Sequence, residues 1–108
     1  MDCLDELGHP AVDELQLVEV LQALGDPVRL RIVRYLAEAE GRVACHEIPL
    51  PVSKSTASHH RKVLREAGIV RVDVEGTRKF PTLRREDLEA RFPGLLDSVL
   101  RADQPAVV

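Results

Sequence analysis

The sequence has few aromatic residues and no apolar run long enough to cross a membrane. Its 108 residues include one Tyr, two Phe and no Trp. With so few aromatic residues, the core must be built mainly from Leu, Val, Ile and Ala. This favours helices packed on helices over a stacking surface for single-stranded nucleic acid. No apolar run approaches the ~20 residues of a membrane span, and the acidic start lacks the features of a signal peptide. We expect a single cytoplasmic domain over residues 1–108, with no membrane partner.

The motifs of catalysis are missing as well. The chain shows no Ser/His/Asp arrangement, no glycine-rich loop for phosphate and no pair of apolar-flanked carboxylates. Its Asp and Glu residues fall mostly where helix caps and solvated helix faces are expected. The sequence therefore predicts a protein that is not an enzyme and requires no cofactor.

The chain has no overall excess of positive charge, because its formal net charge is −3. The distribution along the chain is uneven. Residues 1–52 carry four Arg against ten acidic residues, residues 53–85 carry nine Lys and Arg against three, and residues 86–108 carry two against five. The positive charge that nucleic-acid binding requires is therefore concentrated in the middle third of the chain.

The basic third begins with SKSTASHHRKVLREAGI, from Ser53 to Ile69. Apolar residues recur at helical spacing at Ala57, Val63, Leu64 and Ala67, and polar or basic side chains occupy most other positions. Small hydroxyls allow close approach to DNA, and Lys or His can donate to the edges of bases. This pattern predicts a DNA recognition helix, although basic amphipathic helices also bind membranes and protein partners.

Helical patterns precede this segment. The sequence predicts a first helix over Glu14–Leu24, ended by Gly25, and a second that is capped by Asp26 and runs to about Glu40. Pro27 suits the first turn of that second helix. One or two helical turns are expected within Arg42–Ile48, before two prolines form a corner.

After Gly68 the period changes to the alternation of a β-strand. Val70–Val74 predicts one strand, Glu75 and Gly76 a turn, and Thr77–Leu83 an edge strand that contains a proline. A helical pattern returns over Glu86–Leu100 and is interrupted at Pro93, and the tail after Ala102 is expected to fray. The order predicts a mainly α (α+β) winged helix-turn-helix with about five helices and a two-stranded hairpin wing.

Three motifs resemble the ArsR/SmtB family of bacterial repressors. They are ALGDPVRLRIVRYL at Ala23–Leu36, SKSTASHHRKVLREAGIV at Ser53–Val70 and VEGTRKF at Val74–Phe80, within a resemblance that spans roughly residues 12–100. The resemblance implies a homodimer that binds an operator in double-stranded DNA and is modulated by an inducer.

Residues matching the family pattern are assigned to DNA on this basis. The resemblance implies that the start of the recognition helix reaches base edges or nearby phosphates, that later cations meet the backbone, and that two cations lie on the wing. The three groups are Lys54, Ser55, Thr56, Ser58 and His59; Arg61, Lys62 and Arg65; and Arg78 and Lys79.

The outer helices carry more apolar residues than so small a core is expected to cover. The predicted dimer interface consists of Leu15, Val18, Leu21, Leu88, Phe92, Leu95, Leu96 and Val99. The alternative is that all of these residues pack within one subunit. A two-fold dimer predicts a palindromic operator with half-sites about one helical turn, or a multiple, apart.

Many members of the family sense metals, but this sequence departs from their usual ligand patterns. Ala44, Cys45 and His46 stand where thiolate sensors show two cysteines separated by one residue, and the last helix has no His. The remaining candidate ligands are Cys3, His9, Cys45 and His46, a set that would suit nickel, zinc or cobalt. Buried structural cysteines, or a redox switch at Cys3 or Cys45, are the alternatives.

Two functional hypotheses from different classes remain. The first is a homodimeric, sequence-specific DNA-binding repressor that is released or modulated by a metal ion or another inducer. The second is a winged helix that binds proteins, in which acidic flanks repel DNA and apolar outer helices bind another chain. Selected DNA sequences would favour the first hypothesis, and a stoichiometric protein partner without selected DNA would favour the second.

Overall fold

The computed structural model describes residues 9–103, which form five α-helices, two 3₁₀ turns and an antiparallel hairpin. The elements are the 3₁₀ turn Val12–Glu14, α1 Leu17–Leu24, α2 Pro27–Glu38, the 3₁₀ turn Cys45–Glu47, α3 Lys54–Glu66, β1 Val70–Glu75, β2 Arg78–Leu83, α4 Arg85–Arg91 and α5 Leu95–Ala102. This order confirms the predicted winged helix-turn-helix. Across the described range, no helix is both long and apolar enough to span a bilayer.

The first helix begins three residues later than the sequence predicted. Leu15 and Gln16 are extended, and α1 starts at Leu17. The Leu15 side chain is 1% exposed and belongs to the core of the chain. Its assignment to a dimer interface was therefore wrong, because a side chain already covered within one subunit offers no surface to another.

The second helix confirms the predicted cap. The Asp26 carboxylate accepts hydrogen bonds from the backbone N–H groups of Val28 and Arg29, at 2.9 and 3.1 Å. These bonds satisfy two of the donors that a helix N-terminus leaves free, and Pro27 costs nothing in the first turn. The helix buries Ile32 and Val33 completely and so forms the centre of the fold.

The hairpin follows α3 through Gly68, which has a φ of 86°. Its register pairs Val70 with Leu83 and Glu75 with Arg78, so the two-residue turn is Gly76 and Thr77, one position later than predicted. Gly76 has a φ of 63°, as such a turn requires. Val70 and Val72 are buried against the helices, which places the basic end of the hairpin at the surface.

The C-terminal pattern forms two helices, as the proline at position 93 predicted. Helix α4 ends at Arg91, and Gly94, with a φ of 81°, precedes α5. Leu88 on α4 is 2% exposed and packs in the core, so its assignment to the dimer interface was also wrong. Its neighbours in the predicted interface are half-buried against that core: Phe92, Leu95, Leu96 and Val99.

Candidate nucleic-acid interface

Helix α3 is held at its N-terminus by Ser53. The Ser53 hydroxyl accepts a hydrogen bond from the backbone N–H of Thr56 at 3.2 Å and donates one to the Thr56 hydroxyl at 3.0 Å. Ser53 lies in the predicted recognition motif but was not predicted to be its cap, although a Ser directly before a helical pattern is the usual signal. The cap orders the first turn, which is the part of a recognition helix that meets DNA.

The first half of α3 presents donors to solvent while its opposite face is buried. Ala57 is 7% exposed and Leu64 is fully buried, so this face of the helix packs against the core. The exposed side chains predicted to contact DNA are Lys54, Ser55, Thr56, Ser58, His59 and Lys62. The short hydroxyl side chains leave the helix surface accessible, which suits insertion into the major groove.

Arg61 and Arg65 are placed differently from the other predicted contacts. Both are half-buried and line a narrow cavity that also includes Lys79 and Val72 of the hairpin. Arg61 donates a hydrogen bond to the Ser58 hydroxyl at 3.2 Å, and the Arg65 Nε is buried without a partner in the described part of the chain. These guanidinium groups therefore lie between recognition helix and wing rather than on the outer face of α3.

The hairpin carries Arg78 and Lys79 at its exposed end, as predicted for a wing. Arg42, which lies before the second 3₁₀ turn, was not among the site residues predicted from the sequence. Its guanidinium stacks 3.7 Å from the centre of the Phe80 ring and pairs with the Glu75 carboxylate. Arg42 thus connects the hairpin to the body of the protein and limits the positions that the wing can take.

An open cleft of about 510 Å³ separates the start of α3 from the tip of the hairpin. Four cationic side chains line it: Lys54, Arg61, Arg78 and Lys79. Within residues 9–103, none of the four forms an ion pair with a carboxylate. The cleft therefore has a positive potential, which a polyanion such as DNA would neutralise.

A hydrogen-bond network behind α3 fixes its angle. The Arg29 guanidinium donates to the backbone carbonyl of Gln22 and to Nδ1 of His60, both at 3.2 Å. Because Arg remains protonated, Nδ1 must be the acceptor, which assigns the neutral tautomer with its proton on Nε2. The His60 side chain is 12% exposed, so it packs between the two helices rather than facing DNA. No periodic pattern in the sequence indicated this link between α2 and α3.

The candidate metal ligands are not assembled in the described residues. Cys3 lies outside the described range, and within residues 9–103 no group of three or more His, Cys, Asp and Glu side chains is placed to hold a metal ion. His46 is exposed, whereas Cys45 is half-buried in the cleft. Burial raises the pKa of the Cys45 thiol, against the opposing effect of Arg61 and Lys79, so the thiol form is favoured at neutral pH.

His9 has a structural contact. Its Nε2 accepts a hydrogen bond from the backbone N–H of Val72 at 3.1 Å, on the side of β1 that faces away from β2. Burial lowers the pKa of His9, and the nearby cations Arg71, Arg65 and Arg84 lower it further. The neutral imidazole therefore covers a free edge of the wing.

Helix α1 exposes an apolar strip. Leu17 is 46% exposed, Val18 63% and Leu21 45%, and these are the large exposed hydrophobic side chains of the described chain. Val18 and Leu21 belong to the predicted dimer interface, and Leu17 extends it. An apolar strip of this kind is typical of a surface that binds another protein chain.

Comparisons with known proteins agree with this geometry. A family model described as a helix-turn-helix domain matches residues 24–73. The uncharacterized HTH-type transcriptional regulator YceK of Bacillus subtilis is 32% identical over 89 residues, which cover 81% of this chain and 89% of YceK.

Solved structures show the same fold. The transcriptional repressor BigR from Xylella fastidiosa superposes with a TM-score of 0.63 and 27% identity, over 83% of this chain and 88% of BigR. The ArsR family transcriptional regulator RHA00566 has a TM-score of 0.63 and covers 82% of this chain and 98% of its own; at 21% identity it shows likeness of fold alone.

Proposed function

The chain belongs to the ArsR family of helix-turn-helix transcriptional regulators, and from this premise we propose that it is a homodimeric repressor of a palindromic operator. The family regulates transcription by binding DNA and is not enzymatic. The observation that carries the proposal is the set of cations around the cleft. Lys54, Arg78 and Lys79 are exposed at the start of α3 and on the wing, and within residues 9–103 no carboxylate pairs with them.

In the proposed complex, α3 lies in the major groove and the wing crosses the adjacent backbone. Lys54, Ser55, Thr56, Ser58 and His59 supply the base contacts, because they occupy the exposed first turns of the helix. Phosphates are contacted by the exposed cations Lys62, Arg78 and Lys79. Arg61 and Arg65 lie between α3 and the wing and meet phosphates that enter the space between these two elements. The positive end of the α3 dipole adds to the attraction for phosphate.

The repressor role is supported by the name of BigR, a transcriptional repressor of the same fold. Modulation by a metal has less support. In the described residues, the His9 Nε2 already accepts a hydrogen bond from Val72 and burial favours the neutral Cys45 thiol. We therefore propose no metal-dependent step for the mechanism.

Dimerisation is proposed through the exposed strip on α1, together with the half-buried apolar residues of α5. Replacing Val18 and Leu21 by Gln removes apolar surface without changing charge or helix propensity much. The double variant should be monomeric at concentrations where the native chain is dimeric, as measured by light scattering. The matched control is Glu19→Gln, an exposed position on the same helix, which should leave the mass of the dimer unchanged. A native chain that is monomeric throughout would contradict this part of the proposal.

Selection from random duplex DNA tests operator binding. The proposal predicts a palindromic consensus with half-sites about one helical turn, or a multiple, apart, and an affinity that falls steeply with salt. Recovery of unselected sequences, with weak binding at low salt alone, would contradict it. That result would favour the protein-interaction hypothesis instead.

A further inference from the structure

We propose that the cleft between α3 and the hairpin binds an organic anion with an apolar body, and that this ligand displaces DNA. The ligand class is a carboxylate or sulfonate on a hydrocarbon chain or ring. Displacement of DNA depends on the proposed function, whereas binding of the anion does not. The site would make such a compound the effector of the regulator.

The charge of the cleft requires an anion. Among its described lining residues, four are cations and none carries a carboxylate. Some cations elsewhere in the described residues are paired with carboxylates, as in the 2.8 Å contact of Arg34 with Asp103 and the 2.9 Å contact of Arg84 with Asp87, whereas none of the four in the cleft is. Arg61 is half-buried in the cleft, and its contact within residues 9–103 is with the neutral hydroxyl of Ser58. A bound carboxylate or sulfonate would supply the missing charge.

The floor of the cleft requires an apolar body. Ile48 is 5% exposed, Ala57 is 7% exposed, and Leu50 and Val52 are half-buried beside them. A hydrocarbon chain would be stabilised by covering the remaining exposed surface of Leu50 and Val52, whereas a polar DNA phosphodiester would not. The volume, about 510 Å³, lies within the range of roughly 300–1,000 Å³ that is typical of small-molecule sites.

The position of the cleft makes anion and DNA mutually exclusive. Lys54, Arg78 and Lys79 line the cleft and are also the proposed contacts for the operator. A ligand neutralising them in the free protein removes the charges that attract DNA phosphates. By linkage, the ligand must then lower the affinity for DNA by the same factor as DNA lowers the affinity for the ligand.

Cys45 provides a reporter of occupancy because its thiol lines the cleft. The experiment uses the full chain with Cys3→Ser, decanoate below its micelle concentration as probe, and the rate of Cys45 alkylation by iodoacetamide at mildly alkaline pH. We expect decanoate to slow alkylation in a saturable manner. Arg61→Gln with Lys79→Gln should weaken this protection roughly tenfold, since two charged contacts are lost.

Matched controls distinguish the site from general charge effects. Arg31→Gln with Arg71→Gln removes the same charge from exposed positions outside the cleft and should leave protection unchanged. Equal weakening in both double variants would overturn the assignment of the site. Equal protection by neutral decanol would overturn recognition of the anion, and equal protection by inorganic phosphate would overturn the role of the apolar floor.

Measuring operator affinity with and without decanoate distinguishes failure of the anion site from failure of the proposed function. Decanoate should lower the affinity of the native chain for its selected operator. The cleft double variant will bind the operator more weakly even without decanoate, because Arg61 and Lys79 are proposed phosphate contacts. Its ratio of operator affinities without and with decanoate should therefore be compared with that of the native chain, and it should be close to one. If decanoate protects Cys45 but leaves operator affinity unchanged, the effector role is wrong and the DNA-binding function stands. If decanoate protects Cys45 in a chain that selects no operator, the proposed function fails and the anion site stands.

Discussion

The α3 and hairpin region and the exposed strip of α1 have opposite chemistry. Residues 53–85 carry six more positive than negative charges, whereas the rest of the chain carries nine more negative than positive charges. The exposed side chains of α3 are mostly donors and cations, and those of α1 include three large hydrophobic residues. A net charge of −3 therefore says little about the partner, because each surface attracts its own class of molecule.

Packing explains why the two regions differ. Helix α3 is anchored through Ala57 and Leu64 and can leave its other faces polar. Helix α1 buries Val20, Ala23 and Leu24 and still has apolar side chains on the outside. A helix that is apolar beyond its buried face needs a further contact, whereas a helix with one narrow apolar face does not. In the proposed function, DNA binds the basic region and a second copy of the chain binds the α1 strip.

The largest effect is expected where the two regions meet, at Gly68. A Cβ at this position would lie 2.0 Å from Cδ2 of Leu15, which leads into α1, and the φ of 86° disfavours any side chain. Gly68→Ala should lower the free energy of unfolding by roughly 2–5 kcal/mol in chemical denaturation. The control, Gly41→Ala, has open space and should change it by less than about 0.5 kcal/mol. Equal effects would show that Gly68 does not join the two regions as described.

The next effect separates base contacts from backbone contacts within the basic region. Lys54→Ala with His59→Ala should reduce operator affinity by about tenfold or more and reduce discrimination against random duplex. Arg78→Ala with Lys79→Ala should weaken both duplexes similarly and reduce the salt slope by about two. Fluorescence anisotropy measures the affinity of each variant for the operator and for the random duplex. Equal loss on operator and random DNA for the first pair would overturn the recognition-helix assignment.

A smaller effect is expected at Asp26, on the helix between the two regions. Burial opposes ionisation, but hydrogen bonds from the Arg29 and Val28 backbone N–H groups and the charge of the Arg29 guanidinium lower the pKa of this carboxyl. Its stabilisation is therefore present above the ordinary value near 3.8 and is lost as the pH falls through the lowered pKa. Asp26→Ala should cost about 1 kcal/mol at neutral pH and progressively less in acid.

Denaturation across a pH series checks the Asp26 prediction. Asp13→Ala is the control, since Asp13 is exposed and is not the cap of its 3₁₀ turn. If Asp26→Ala costs the same at neutral and strongly acid pH, the cap does not act through its charge.

The smallest effect is expected at His9, which covers the wing edge. Its lowered pKa means that the fold favours the neutral ring, so its contribution is present above about 6.5 and is lost as the pH falls through the lowered value. His9→Gln keeps an acceptor for the Val72 N–H but does not titrate. In the native chain, titration of His9 should lower the free energy of unfolding by less than about 1 kcal/mol as the pH falls below neutrality. Thermal unfolding of the variant should show that this decrease is absent. His46→Gln, at an exposed position, should retain the native dependence.

The sequence predicted those parts of the fold that depend on local signals. The Asp26 cap, the α3 pattern, the hairpin alternation and the break near Pro93 are all recovered. Each depends on neighbours within a few positions, so a single chain is enough to predict it. The exposed donors of α3 were also predicted correctly as surface residues.

The sequence could not predict contacts between distant segments. Leu15 and Leu88 looked like surface residues of outer helices, but the first packs over Gly68 and both belong to the core. The direction of Arg61 towards the wing and the bond from Arg29 to His60 depend equally on tertiary packing. Periodicity shows which face of a helix is apolar, but it does not show what covers that face.

The measurement that tests the two-region account most directly compares a palindromic operator with a single half-site. The native chain should bind the palindrome roughly a hundredfold or more tightly, because a dimer engages both half-sites together. The chain with Val18→Gln and Leu21→Gln should bind the two duplexes almost equally, with its half-site affinity unchanged. If that variant retains the native preference for the palindrome, the α1 strip is not the dimer surface and the account is contradicted.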